Sequence, residues 1–110
     1  MGKAQKTKIR PDRLEGEKYK IITAFREKLY LTLNRYKGKP FEVFVKIGKA
    51  GGDLALSYQV IGRLISICLR NGISVESIVK QLGGTSDRVV PTVPEAIARV
   101  LEGEETPVNK

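Results

Sequence analysis

The chain has no histidine and a single cysteine, Cys68. Without histidine, neither a Cys-His nor a Ser-His pair can activate a nucleophile. A zinc-type site lacks its imidazole ligands, and one thiol cannot supply them. One cysteine also forms no internal disulfide, so Cys68, on an apolar helical face, is read as a packed structural residue. No apolar run approaches the ~20 residues of a membrane span, and no leader pattern precedes the polar start. These features predict a soluble cytoplasmic protein with no membrane partner.

Acidic residues are also scarce, 12 against 20 basic, for a net charge of +8 in 110 residues. The imbalance is concentrated: 14 of the 20 basic residues lie among the first 50. A concentrated positive field favours polyanions such as nucleic acid or nucleotides. The competing reading is a solubilising surface.

Residues 1–17 are polar and without period, and read as a flexible basic arm. From there the pattern alternates. Lys18–Phe25, Lys28–Tyr36 and Phe41–Ile47 put apolar residues at every second position, with a Gly-Pro turn at 36–40. They predict a small antiparallel sheet of two to three strands with one face on the core. Arg35, Lys37, Lys39, Lys46 and Lys49 place charge around the hairpin, beside Tyr30, Tyr36 and Phe44. Aromatic faces next to cations hold single-stranded nucleic acid, so these eight residues are the candidate contacts. Ordinary cross-strand pairs on a solvated face are the alternative.

The loop at Gly48–Asp53 links strand to helix and invites a phosphate-site reading. Its spacing fits neither the Walker pattern nor GxGxxG, and Asp53, expected as helix N-cap, would repel an anion. The glycines are read as serving a tight turn and close packing. A long central helix follows, stopped at Asn71-Gly72. Leu54, Tyr58, Ile61, Leu64, Ile65 and Cys68 form one apolar stripe, and Leu56, Val60 and Ile67 a second, which predicts burial on two sides, against a sheet and against other helices or a second subunit. Two shorter helices complete an α+β fold: one capped by Ser74 and ending at Gly83-Gly84, one opened by a Thr92/Glu95 capping box with Pro94 in its first turn and ended by Gly103. Residues 18–103 are expected to form a single domain, with 104–110 a flexible tail.

The order PFEVFVKIGKAGGD, GRLISICLRNGISVESIVKQLGG, VPEAIARVL resembles the TSCPD domain, found at the C-terminus of adenosylcobalamin-dependent (class II) ribonucleotide reductases and in stand-alone proteins. The resemblance runs from about Arg10 to Leu101 and also touches RPDRLEGEKYKI and KLYLTLN. It departs at the family cysteines. The Thr-Ser-Cys-Pro-Asp motif reads Pro91-Thr92-Val93-Pro94-Glu95 here, and no cysteine stands at Thr23-Ala24-Phe25 or Thr85-Ser86-Asp87-Arg88. Metal or disulfide roles of those cysteines do not carry over. Neither does the reductase's radical chemistry, which needs a far larger chain.

Two functions follow as expectations. One is a non-catalytic TSCPD-like module that binds DNA or RNA through its basic arm and hairpin. The other, implied by the resemblance, is an accessory protein acting on a reductase or replication protein. No enzymatic activity, cofactor or metal is expected, and homodimerisation is open. Glu102, Glu104 and Glu105 lie at an exposed end and read as a solvated terminus.

Overall fold

A computed structural model describes residues 10–48 and 52–108. Three strands, β1 (Glu15–Ile22), β2 (Lys28–Tyr36) and β3 (Lys39–Ile47), precede three helices, α1 (Gly52–Arg70), α2 (Val75–Gln81) and α3 (Val93–Glu102). The sheet is antiparallel in the order β1-β2-β3. The expected α+β architecture is therefore present, with one long helix and two shorter ones.

Strand alternation sorts the side chains. Tyr19 and Ile21 of β1, Leu29, Leu31 and Leu33 of β2, and Val43, Val45 and Ile47 of β3 all face the core. The three β2 leucines are among the most deeply buried side chains, each contributing roughly 1.5–3 kcal/mol of apolar burial. α3 packs over β2, and α2 packs on α3. Val93, Ala96, Ile97, Val100 and Leu101 give α3 its buried side. Cys68 is half-buried against this core.

β1 starts and ends three residues before the expected strand. Its pairing with β2 reaches back to Glu15↔Arg35. The chain then reverses at 23–27, where the Thr23 amide donates to the Glu27 carbonyl at 2.9 Å and Arg26 takes φ 62°. β3 starts earlier than expected because the hairpin needs only two turn residues. Lys37 and Gly38 have φ of 53° and 80°, the double positive φ of the tightest hairpin turns. Of the expected arm, residues 1–9 lie outside the described residues, while Arg10 is held by Glu42. Near the C-terminus, the Val108 amide donates to the Lys18 carbonyl on β1 at 2.7 Å.

α1 lies along the open edge of β3. Small residues one turn apart, Gly62 and Ser66, let it come close: a Cβ at Gly62 would sit 3.2 Å from the Val43 carbonyl oxygen. The Ser66 hydroxyl accepts from the Val43 amide at 3.0 Å. Ile65 and Leu69 turn into the core from the same side. Asp53 lies inside the first turn of α1, not ahead of it as a cap. It still favours the positive end of the helix dipole.

The expectation that both stripes of α1 are buried is overturned. Tyr58, Ile61, Ile65 and Cys68 pack on the core, but Leu54, Leu56, Val60, Leu64 and Ile67 are exposed. The physical reason is topological: α2 and α3 fill the space under the sheet, leaving no second layer beyond α1. A second correction concerns length. α1, with 19 residues and mean hydropathy 1.2, is by length and composition alone apolar enough to cross a membrane; here its Gly62–Ser66 side is bonded to β3.

α2 and α3 are capped as expected. The Ser77 amide donates to Ser74 Oγ at 3.1 Å. The Thr92 amide donates to Glu95 Oε1 at 2.9 Å, and the Glu95 amide donates to Thr92 Oγ1 at 3.4 Å. Gly103, with φ 79°, ends α3 in the left-handed conformation.

Candidate nucleic-acid interface

The sheet face opposite the core is built from the even-numbered strand positions. Register aligns Lys20, Tyr30 and Lys46 in one cross-strand row and Lys18, Thr32 and Phe44 in the next. Tyr30 is 39% exposed and Phe44 53%. They are diagonal neighbours on adjacent strands, ~7–8 Å apart in such sheets and within reach of each other's rings. Gly48 shapes the spot, since a Cβ there would lie 3.0 Å from Tyr30 Cε2. Among the described residues, no carboxylate forms an ion pair with Lys20 or Lys46. The result is an open platform of two aromatic rings between cations.

The same face is closed at its hairpin end. Glu42 of β3 has a side chain with no exposure. It accepts from Arg10 Nε at 2.9 Å, from Asn34 Nδ2 at 2.6 Å and from Arg70 Nη2 at the end of α1. Burial would push its carboxyl up, but the hydrogen bonds from Arg10, Asn34 and Arg70 outweigh that and hold it below the usual carboxylate range. Gly16 makes room for this cluster, because a side chain there would collide with Asn34 Oδ1. Arg70 also stacks on Phe41, its Cζ 5.4 Å from the ring centroid.

The eight sequence candidates divide into groups. Tyr30, Phe44 and Lys46 share the platform. Tyr36, Lys37 and Lys39 line a separate groove of about 890 Å³ between the hairpin and the α1–α2 corner, with Phe41, Leu69 and Ile73. Its aromatics are engaged internally: Lys37 Nζ sits 5.3 Å from the Tyr36 centroid, and Phe41 is buried under Arg70. Arg35 is committed to Glu17, Nε to Oε1 at 3.1 Å, and its Nη1 donates to the Gly38 carbonyl at 3.5 Å. Burial pushes Glu17 up, but Tyr19 and Arg35 bond to it and leave it lowered overall. Lys49 lies outside the described residues.

Sequence reasoning passed over Lys18 and Lys20 as contacts. The signal was present in the alternation of β1, where Tyr19 and Ile21 face the core and so put Lys18 and Lys20 on the opposite face.

The positions where the resemblance expects cysteines are drawn together in the fold. The Ala24 amide donates to the Pro91 carbonyl at 2.7 Å, and Thr23 and Val93 are both buried. Arg99 of α3 donates to the carbonyls of Thr85, Ser86 and Arg88. Here the region is knit by backbone hydrogen bonds and apolar packing. Among the described residues, no three His, Cys, Asp or Glu side chains are grouped to hold a metal ion.

A three-stranded antiparallel sheet backed by helices on one face, with a basic and aromatic opposite face, defines a small α+β domain. The family model of the TSCPD domain matches residues 3–104, and the chain belongs to that family. Comparison with curated proteins and with solved structures finds no match.

Proposed function

We propose that this TSCPD domain is a non-catalytic module that binds single-stranded nucleic acid on the outer face of its sheet. The observation that carries the reading is the row Lys20–Tyr30–Lys46 with Phe44 beside it. Bases stack on exposed rings whatever their sequence, and lysines on either side meet the phosphates. The hairpin lysines, Lys37 and Lys39, extend the positive surface along the neighbouring groove. Duplex is a poorer fit, because the paired bases hide the faces that the rings would stack on.

The test is titration of labelled single-stranded DNA, single-stranded RNA and duplex of equal length at low salt. Single strands are expected to bind more tightly than duplex. Affinity is expected to fall with salt at a log-log slope of about −0.7 per phosphate contact. No binding at low salt, or equal binding of duplex, removes the proposal. Co-purification of a reductase or replication protein from host extract, without oligonucleotide binding, would replace it with the accessory-protein reading.

A further inference from the structure

We propose that α1 pairs antiparallel with α1 of a second copy of this chain. At about 100° per residue, Leu56, Val60, Leu64 and Ile67 fall within roughly 80° of one another. Their centre lies almost opposite the side that Gly62, Ile65, Ser66 and Leu69 turn to β3 and the core. All four are exposed. The stripe is therefore a continuous apolar face pointing directly away from the rest of the domain.

Its spacing is self-complementary. Leu56 and Ile67 lie equally far from the point between Ile61 and Gly62, within a residue of the helix midpoint at Ile61, and Val60 and Leu64 nearly so. An antiparallel pair thus sets Leu56 against the partner's Ile67 and Val60 against the partner's Leu64. The first turn of each helix falls beside the last turn of its partner. The two helix dipoles oppose and compensate each other. A lipid surface is a poorer occupant, since α1 carries only Arg63 and Arg70 as cations and both lie on one flank of the stripe. Strand addition offers no competing route where Ser66 covers β3 and Val108 meets β1.

A single helix face supplies on the order of half the ~800 Å² per partner of a standard interface. The dimer is therefore concentration-dependent, not obligate. It is independent of what the sheet platform binds, and its test does not involve nucleic acid.

Sedimentation equilibrium of the full chain across a wide concentration range is expected to show the mass rising from 12.2 kDa toward about twice that value. Val60→Glu, at an exposed position, should stay at the monomer mass throughout while keeping its circular dichroism and melting temperature. Register is read by mild oxidation in a Cys68→Ser background. Val60→Cys with Leu64→Cys should give a disulfide-linked dimer, and Val60→Cys alone should not, because antiparallel pairing staggers the two copies of residue 60. A wild-type monomer at every concentration overturns the proposal. So does a dimer that survives Val60→Glu, or ready crosslinking of Val60→Cys alone. Binding of the monomer to phosphatidylcholine–phosphatidylglycerol vesicles, abolished by Val60→Glu, would replace the second copy with a lipid surface.

Discussion

Ser66 of α1 and Val43 of β3 face each other across the sheet edge. The Ser66 hydroxyl accepts from the Val43 amide at 3.0 Å and has the Val43 carbonyl oxygen at 3.1 Å and the Gly62 carbonyl oxygen at 2.9 Å. A hydroxyl has one hydrogen, so it donates to one of the two carbonyls at a time. Ser66→Ala leaves the buried Val43 amide without this partner and is expected to lower stability by about 1–3 kcal/mol. Urea denaturation, with the slope unchanged, is the measurement.

Gly62→Ala tests how closely that helix must approach. Alanine favours a helix interior over glycine by roughly 1 kcal/mol. Here the new methyl meets the Val43 carbonyl, Val45 Cγ2 and the Val45 amide nitrogen at 3.2–3.3 Å. Two of these are backbone atoms of a paired strand and cannot step aside. Net destabilisation is expected, and a melting temperature at or above wild type would contradict the packing described.

Glu42 makes the fold sensitive to acid. Its carboxyl titrates lower in the folded chain than in the unfolded one. The stabilisation is therefore complete above the unfolded carboxylate value and disappears as pH falls through the lowered folded value. Glu42→Ala removes the shared acceptor of Arg10, Asn34 and Arg70 and is expected to lower neutral-pH stability by about 1–3 kcal/mol, because both arginines keep access to water. Glu42→Gln should flatten the acid limb of the stability–pH curve; an unchanged limb would place the acid sensitivity elsewhere.

Tyr30→Ala and Phe44→Ala should each weaken single-strand binding by about 1–3 kcal/mol, the range for one stacked base. Both side chains are substantially exposed, so melting temperature is the control for folding. Lys20→Gln and Lys46→Gln should reduce the salt slope by about 0.7 each, the increment of one single-strand phosphate contact. Arg35→Gln, by contrast, should act on stability through Glu17.

At the start of α3, Thr92→Ala removes the hydroxyl that accepts from the Glu95 amide and is expected to lower stability by about 1 kcal/mol. Glu95→Gln keeps an oxygen for the Thr92 amide and should be milder. Equal losses from the two would argue against reciprocal capping.

Local rules were legible where local chemistry decides. The alternation of Leu29, Leu31 and Leu33 identified the core face of β2, and Thr92 with Glu95 announced α3. What could not be read locally depended on contacts far along the chain. Glu42 looked like an ordinary outward strand residue, yet Arg10, 32 positions earlier, and Arg70, 28 later, bury it. Arg35 looked like a free cation until Glu17 on β1 came into register. The second stripe of α1 was visible as apolar, but hydropathy does not say whether a covering layer comes from the same chain. Among the candidate contacts, alternation separated Tyr30, Phe44 and Lys46 from the core. It could not reveal that Tyr36 is overlain by Lys37.

The Glu42 cluster also joins parts of the chain that would otherwise move separately. Arg10 belongs to the segment leading into β1, Asn34 to the central strand, Glu42 to the outer strand and Arg70 to the end of α1. One carboxylate thus acts as a clasp on four segments at once. Opening it would loosen the entry to the sheet and the exit of the long helix in the same event. The low-pH form of this protein should therefore lose protection from hydrogen exchange at these two places together, before the β2 core exchanges.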